Sequence, residues 1–274
     1  MQFANEEFKH QFYTTIREAL PSDVTIQYIC LMGSQAKNLA SADSDYDVRV
    51  IITSPHKHYV LQRPHQAIRI NTTFQGKELE GTAFDIIKAF EYALETNLTM
   101  VEILRGVPIY ESSEKIFQQL KRVLLEAYLP TVTLNALQGK IYYYLKKHLK
   151  DKEGNFLEKV PAKVGVETLF LVLESRCVLM GNSLIEHSTI QMLRPFLEEE
   201  EAEWVMKLVE TRRANKHQEI VITEDIKKMI QETLEKLQAA IKGFSKKETE
   251  KIHMKKQGLR EEVDKLCLNM ILTS

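Results

Sequence analysis

Asp45 and Asp47 stand two residues apart at the start of an apolar run, Val48-Arg49-Val50-Ile51-Ile52. Side chains at i and i+2 of a strand point to one face, so both carboxylates can aim at one point. Adjacent negative charges repel unless a cation neutralises them. Oxygen ligands of this kind suit Mg²⁺ or Mn²⁺ better than zinc. Ten residues separate Asp45 from Gly33-Ser34, which lies at the end of the strand-like run Ile26-Gln27-Tyr28-Ile29-Cys30-Leu31-Met32. A Gly-Ser turn offers backbone N–H groups and a hydroxyl to a phosphate. Asp85 interrupts a later apolar run, Ala83-Phe84-Asp85-Ile86-Ile87. If the two runs are neighbouring strands, Asp85 completes a metal-binding triad with Asp45 and Asp47. The competing role for Asp85 is the N-cap of a helix over residues 86–96. A carboxylate triad suits two-metal phosphoryl or nucleotidyl transfer. One ion holds the triphosphate and departing pyrophosphate; the other lowers the pKa of an attacking hydroxyl. Asp85 is then the expected general base. Arg49, two residues past Asp47, shares the carboxylate face and can pair with a carboxylate or contact the triphosphate.

These residues need a sheet to position them, and the pattern supplies one. Residues 24–32 and 48–53 are β-branched and apolar, 68–74 alternate with period two, and 82–87 are a fourth candidate strand. Gln75-Gly76-Lys77-Glu78 reads as a hairpin turn. An amphipathic helix over residues 5–20, capped by Asn5, precedes them. Beyond about residue 112 the periodicity is helical. Helices are expected from a Ser112 or Ser113 cap toward residue 128, over 133–150, over the strongly apolar 162–180, over 223–241 and over 246–271. The fold class is α+β: an N-terminal α/β domain with a mixed sheet (1–110), then an all-helical domain (111–274).

The length of 274 residues, 44% of them hydrophobic and 27% charged, is that of an ordinary globular protein. A formal net charge of −1 gives no bulk signature of a nucleic-acid binder and leaves room for a local basic cleft. No apolar run approaches the roughly 18 residues of a membrane span. The N-terminus has no basic-then-apolar leader, so the expected location is cytoplasmic. Cys30, Cys177 and Cys267 make no disulfide framework or zinc pattern and read as core residues. Lys163, Glu167 and Glu174 fall near one face of the apolar helix, either against a triphosphate or acceptor or in an internal ion pair. Lys140, Tyr143 and Lys147 share another helix face. His56-Lys57-His58 reads as a loop or helix end, and the lysine-rich stretch 242–260 as a solvated face with nucleic-acid contact as its rival.

Together these residues resemble the polymerase-β-like nucleotidyltransferases, which carry a Gly-Ser or Gly-Gly turn, an Asp-x-Asp strand and a third carboxylate. Gly33-Ser34-Gln35-Ala36, Asp43-Ser44-Asp45-Tyr46-Asp47-Val48-Arg49, Phe84-Asp85-Ile86-Ile87-Lys88-Ala89, Asn97-Leu98 and Val101-Glu102-Ile103-Leu104 are most similar to bacterial predicted nucleotidyltransferases of the YcgL type. The resemblance covers about residues 28–110. It departs where Lys37 and Asn38 replace an aromatic and a glycine; asparagine tolerates the left-handed backbone nearly as glycine does, and Lys37 can contact a phosphate.

The resemblance implies transfer of an NMP from an NTP, ATP before others, to a hydroxyl with release of pyrophosphate. The nucleotide would lie between the two domains. Asp45, Asp47 and Asp85 would hold Mg²⁺ or Mn²⁺, and Gly33, Ser34, Lys37, Arg49 and Lys163 the nucleotide. RNA or tRNA is the first expectation for the acceptor, ahead of a small molecule or a protein hydroxyl. The rival is a catalytically silent, antitoxin-like nucleotide- or partner-binding module on the same fold. No membrane partner is expected, and the sequence leaves the oligomeric state open.

Overall fold

The computed structural model describes residues 5–61, 65, 67–112, 114–244 and 246–273. The alternative cap Ser113 lies outside them, as do most side chains of the lysine-rich stretch 242–260. The chain forms two compact units. The first comprises Met1–Ala36, Ser44–Tyr128 and Lys247–Ser274, and the second Lys37–Asp43 and Leu129–Lys246.

The first unit is built on a five-stranded mixed sheet of order β3-β4-β2-β1-β5. Its strands are β1 (Thr25–Leu31), β2 (Tyr46–Thr53), β3 (Ala67–Phe74), β4 (Lys77–Asp85) and β5 (Val107–Glu111). β2 and β4 run parallel; β1–β2, β1–β5 and β3–β4 are antiparallel. Gln75 (φ 50°) and Gly76 (φ 75°) form the tight turn between β3 and β4, the left-handed pair a two-residue hairpin requires.

Helix α1 (Glu6–Glu18) starts at Asn5, whose side chain accepts from the Glu7 N–H at 2.9 Å. Its Phe8, Phe12 and Ile16 fall four residues apart and cover one sheet face with Tyr46, Val48, Val50, Ile52, Ile70, Phe74 and Leu79. Phe12 meets Tyr46 and Phe74 edge-on at 5.9 and 4.9 Å. Each such side chain contributes about 1.5–3 kcal/mol by burial, and the edge geometry adds about 0.5–1.5 kcal/mol per pair. Since Tyr46, Val48 and Val50 turn to α1, the alternate residues Asp45, Asp47 and Arg49 turn to the other face.

Two short helices, α2 (Gly33–Ala36) and α3 (His56–Val60), follow β1 and β2. Helices α4 (Ile86–Leu94), α5 (Leu98–Arg105), α6 (Glu114–Ala127) and, at the C-terminus, α12 (Lys246–Thr273) complete the unit. α6 joins it by packing on α4, α5 and β1. Arg122 of α6 pairs with Glu262 of α12 at 2.5 Å, and α12 buries Leu259, Val263, Cys267 and Ile271, four residues apart. The first unit thus runs on to Tyr128 and takes in the last helix, where the sequence pattern suggests a boundary near Tyr110.

The second unit contains α7 (Pro130–Tyr144), which runs into a π-helical turn (Leu145–Leu149), the apolar α8 (Ala162–Leu179), α9 (Ile190–Leu193), α10 (Glu199–Ala214) and α11 (Glu224–Gly243). A small β6–β7 pair (Lys159–Pro161, Glu219–Val221) adjoins α8. α7, α10 and α11 pack around α8. Among the described residues no helix is long and apolar enough to cross a membrane. The three cysteines are buried, and no disulfide forms among the described residues.

Candidate nucleotide and metal site

The Gly-Ser turn and the Asp-x-Asp strand meet at Gly33. The Met32 N–H donates to the Asp47 carbonyl at 2.8 Å, extending the β1–β2 ladder into the turn. Gly33 adopts φ +57°, and a Cβ there would lie 1.9 Å from Asp47 Oδ2 and 2.8 Å from its Cγ. Glycine is required twice over, by the left-handed backbone and by the carboxylate against its Cα. Ser34, beside it in α2, is half-buried. Asp45 and Asp47 are exposed while Tyr46 and Val48 are buried, so the period-two expectation for this face describes the strand as it folds.

Asp85 is elsewhere. In the parallel β2–β4 register Asp47 pairs with Glu80 and Ile52 with Asp85. Paired residues in a parallel ladder share a face, with strands about 4.8 Å apart. Glu80 therefore stands beside Asp47 on the carboxylate face. Asp85 lies five residues further on, an odd offset, at the end of the strand. It is 2% exposed and caps α4, accepting from the Ile87 N–H at 3.1 Å. Its Oδ2 accepts from the Ser54 hydroxyl at 2.9 Å and the Tyr59 hydroxyl at 2.6 Å. Burial, reinforced by that bond to Asp85, pushes the Tyr59 phenol upward. Asp85 thus caps α4, the competing role it had in the sequence, while the exposed carboxylate in register with Asp47 is Glu80.

The next row across this face is Cys30, Arg49, Thr82 and Arg69. Arg49 is half-buried and donates from Nη1 to its neighbour's carbonyl, Val48 O, at 2.9 Å. Its Nε is buried without a partner among the described residues. Burial lifts the Cys30 thiol to about 12, with Arg49 opposing, so this cysteine is a neutral packing residue. Lys88 pairs with Glu91 at 2.9 Å, both residues half-buried on α4.

Lys37 and Lys163 belong to the second unit. The Lys37 ammonium, expected at a phosphate, pairs here with Glu167 at 2.9 Å and lies 4.6 Å from the Phe170 ring centroid. Glu167 also receives Arg212 at 2.9 Å, and Arg212, 2% exposed, donates from Nη1 to the Leu39 carbonyl. Burial pushes the Glu167 carboxyl up, but Lys37 and Arg212 outweigh it and hold the group below its usual range. Arg213 donates to the Asn38 carbonyl at 3.0 and 2.7 Å, and Lys216 to the Asp43 carbonyl at 2.9 Å. The segment between the Gly-Ser turn and the Asp-x-Asp strand is held down by these cations. Asn38, at φ 56°, takes the left-handed conformation expected of it. Lys163 is exposed on the first turn of α8. Arg176 pairs with Glu201 through both of its terminal nitrogens at 2.5 and 3.0 Å, and Lys147 donates to the Tyr143 hydroxyl at 2.6 Å.

A mixed five-stranded sheet with a Gly-Ser turn feeding an Asp-x-Asp strand is the arrangement of a polymerase-β-like nucleotidyltransferase. Residues 5–262 match the RNA repair pathway DNA polymerase beta family, and the chain belongs to it. Its members are nucleotidyltransferases, and this protein is an enzyme of that class. Among solved structures, spectinomycin adenyltransferase AAD(9) from Enterococcus faecialis, with ATP and spectinomycin, is 12% identical over 85% of this chain and 98% of its own, with a TM-score of 0.43. A nucleotidyltransferase-like protein from Exiguobacterium sibiricum 255-15 is 11% identical over 86% of this chain and 74% of its own, with a TM-score of 0.30. No curated protein matches the chain.

Proposed function

We propose that the protein transfers the NMP of ATP, or of another NTP, to a hydroxyl of an RNA acceptor and releases pyrophosphate. The observation that carries this reading is the packing of Asp47 Oδ2 against Gly33, which joins a phosphate-type turn to a carboxylate pair. The RNA acceptor is supported by the family, an RNA repair pathway family.

The donor set fits a hard divalent ion. Asp45 and Asp47 are exposed on one face, Glu80 is in register with Asp47, and all three offer oxygen. Asp45, Asp47 and Glu80 would hold Mg²⁺ or Mn²⁺, which supplies charge neutralisation of the triphosphate and of the departing pyrophosphate. The Gly33 and Ser34 backbone N–H groups and the Ser34 hydroxyl bind phosphate oxygens. Arg49, half-buried on the same face, contacts the triphosphate through its guanidinium. The acceptor oxygen forms a bond to the α-phosphorus as the bond from that phosphorus to the bridging oxygen breaks. The hydroxyl proton passes to Glu80 or to solvent, and pyrophosphate leaves.

The test is incubation with each labelled NTP, Mg²⁺ or Mn²⁺, and RNA, small-molecule or protein acceptors, with Asp45→Ala as control. Label on RNA from the wild type alone supports the reading. Label on another acceptor class overturns the RNA assignment, and no transfer with any acceptor overturns the activity.

A further inference from the structure

We propose that Asp23, His58 and His65 form a second cation site, for a zinc-class divalent ion, separate from the carboxylates of β2 and β4. One donor atom from each residue lies within 4.8 Å of the others. His58 Nε2 is 4.0 Å from Asp23 Oδ2, and the two imidazole rings meet edge to face, centroids 5.4 Å apart at 67°. The Nδ1 of His58 is buried, which leaves Nε2 as its outward donor.

Three separate pieces of chain bring these groups together. Asp23 is in the connection from α1 to β1, His58 is in α3, and His65 precedes β3. The backbones of the two histidines are fixed. The His58 N–H donates to the Pro55 carbonyl at 2.8 Å, and the His65 N–H donates to Ser54 Oγ at 3.1 Å. That same Ser54 hydroxyl donates to Asp85, and Tyr59, adjacent to His58, donates to Asp85 as well. Two histidines are thereby anchored on the buried cap of α4 while their rings converge with a carboxylate.

The donor set selects the ion. Two imidazole nitrogens with one carboxylate oxygen suit Zn²⁺ and its surrogates Co²⁺ and Ni²⁺, whereas Mg²⁺ prefers oxygen throughout. Bond lengths of about 2.0–2.2 Å would bring the donors to roughly 3.4 Å apart, a contraction that side-chain rotation provides, since all three residues are partly or fully exposed. Three protein ligands leave the remaining position to solvent. Occupancy would tie the α1–β1 connection to α3 and to the segment before β3, tightening the Ser54–Asp85 anchor.

The test is Co²⁺ and Zn²⁺ titration of the full-length protein in excess Mg²⁺, read by visible absorption and calorimetry. One equivalent is expected to bind with the absorption of a low-coordinate cobalt(II) centre, and Zn²⁺ to raise Tm. His58→Gln, His65→Gln and Asp23→Asn should each weaken binding at least tenfold, with folding checked by circular dichroism. His10→Ala and Asp45→Ala should bind as wild type does. Absence of a one-equivalent site, or undiminished binding in both histidine variants, overturns the proposal. Because Asp45→Ala abolishes the proposed transfer and spares this site, failure of either reading leaves the other standing.

Discussion

Gly33→Ala separates the chemistry of the turn from its mere conformation. At φ +57° an alanine costs about 1–2 kcal/mol, which lowers Tm by a few degrees in a chain of this size. The new methyl would also sit 1.9 Å from Asp47 Oδ2. Ordinary van der Waals contact begins at 3.4 Å, so the carboxylate must retreat by about 1.5 Å. A displacement of that order at a reacting centre costs about 100-fold in rate, equivalent to about 2.7 kcal/mol of barrier. Gly76→Ala is the matched control. Its φ is +75° and a Cβ there meets nothing within 4 Å, so it takes the same conformational cost without touching a carboxylate. Melting curves and single-turnover transfer rates for both variants decide the matter. Both should melt a few degrees lower, and only Gly33→Ala should lose about two orders of magnitude in rate. Equal rates in the two variants would refute the claim that Asp47 works from its place against the turn.

Arg49→Ala should cut transfer by about tenfold or more while leaving Tm nearly unchanged, since it removes a charge-assisted contact to the triphosphate; wild-type turnover would remove it from the site. Arg212→Met leaves Glu167 with one fewer cation in a buried setting, a change worth about 3–5 kcal/mol. Its Tm should fall by on the order of ten degrees, and Arg212→Met with Glu167→Leu should recover part of that loss; a single variant that melts as wild type does contradicts the pairing. The pH dependence follows from Glu167. Its folded carboxyl titrates below the unfolded one because Lys37 and Arg212 outweigh burial. The unfolded state therefore binds more protons on acidification, and the stabilisation is full above the ordinary carboxylate range and lost as pH falls through it. The Tm advantage of wild type over Glu167→Gln should shrink below about pH 4.5, and an advantage that grows on acidification would reverse the sign argued here.

Period-two alternation made the carboxylate face of β2 legible from the sequence, because a strand buried on one side reports which residues face away. For Asp85 alternation alone was not enough, because facing depends on where a strand begins and how it registers. β4 starts at Lys77, inside a polar run that reads as turn, and its Glu80 looks like any solvated glutamate until the ladder sets it beside Asp47. Asp85 had two readings open in the sequence, and its burial with Ser54, Tyr59 and the Ile87 N–H selects the cap. Lys37 sits where a phosphate contact is natural, but its partner Glu167 is 130 residues away, a distance no local pattern encodes. Arg212 was hidden for another reason: the Glu-rich start and Arg-rich end of α10 suggest a solvated helix, and only packing reveals that one of those arginines is buried. β5 is a five-residue edge strand too short and too mixed to announce itself.

The central claim is that the active carboxylates are Asp45, Asp47 and Glu80, with Asp85 holding the fold. Single-turnover transfer by Glu80→Gln and Asp85→Asn, measured beside their melting temperatures, tests it most directly. Glu80→Gln should lose at least about 100-fold in rate with a near-native Tm. Asp85→Asn, which keeps a capping oxygen and loses its charge, should melt lower and keep its rate within a few-fold. The reverse pattern, a rate lost in Asp85→Asn and kept in Glu80→Gln, would contradict the account.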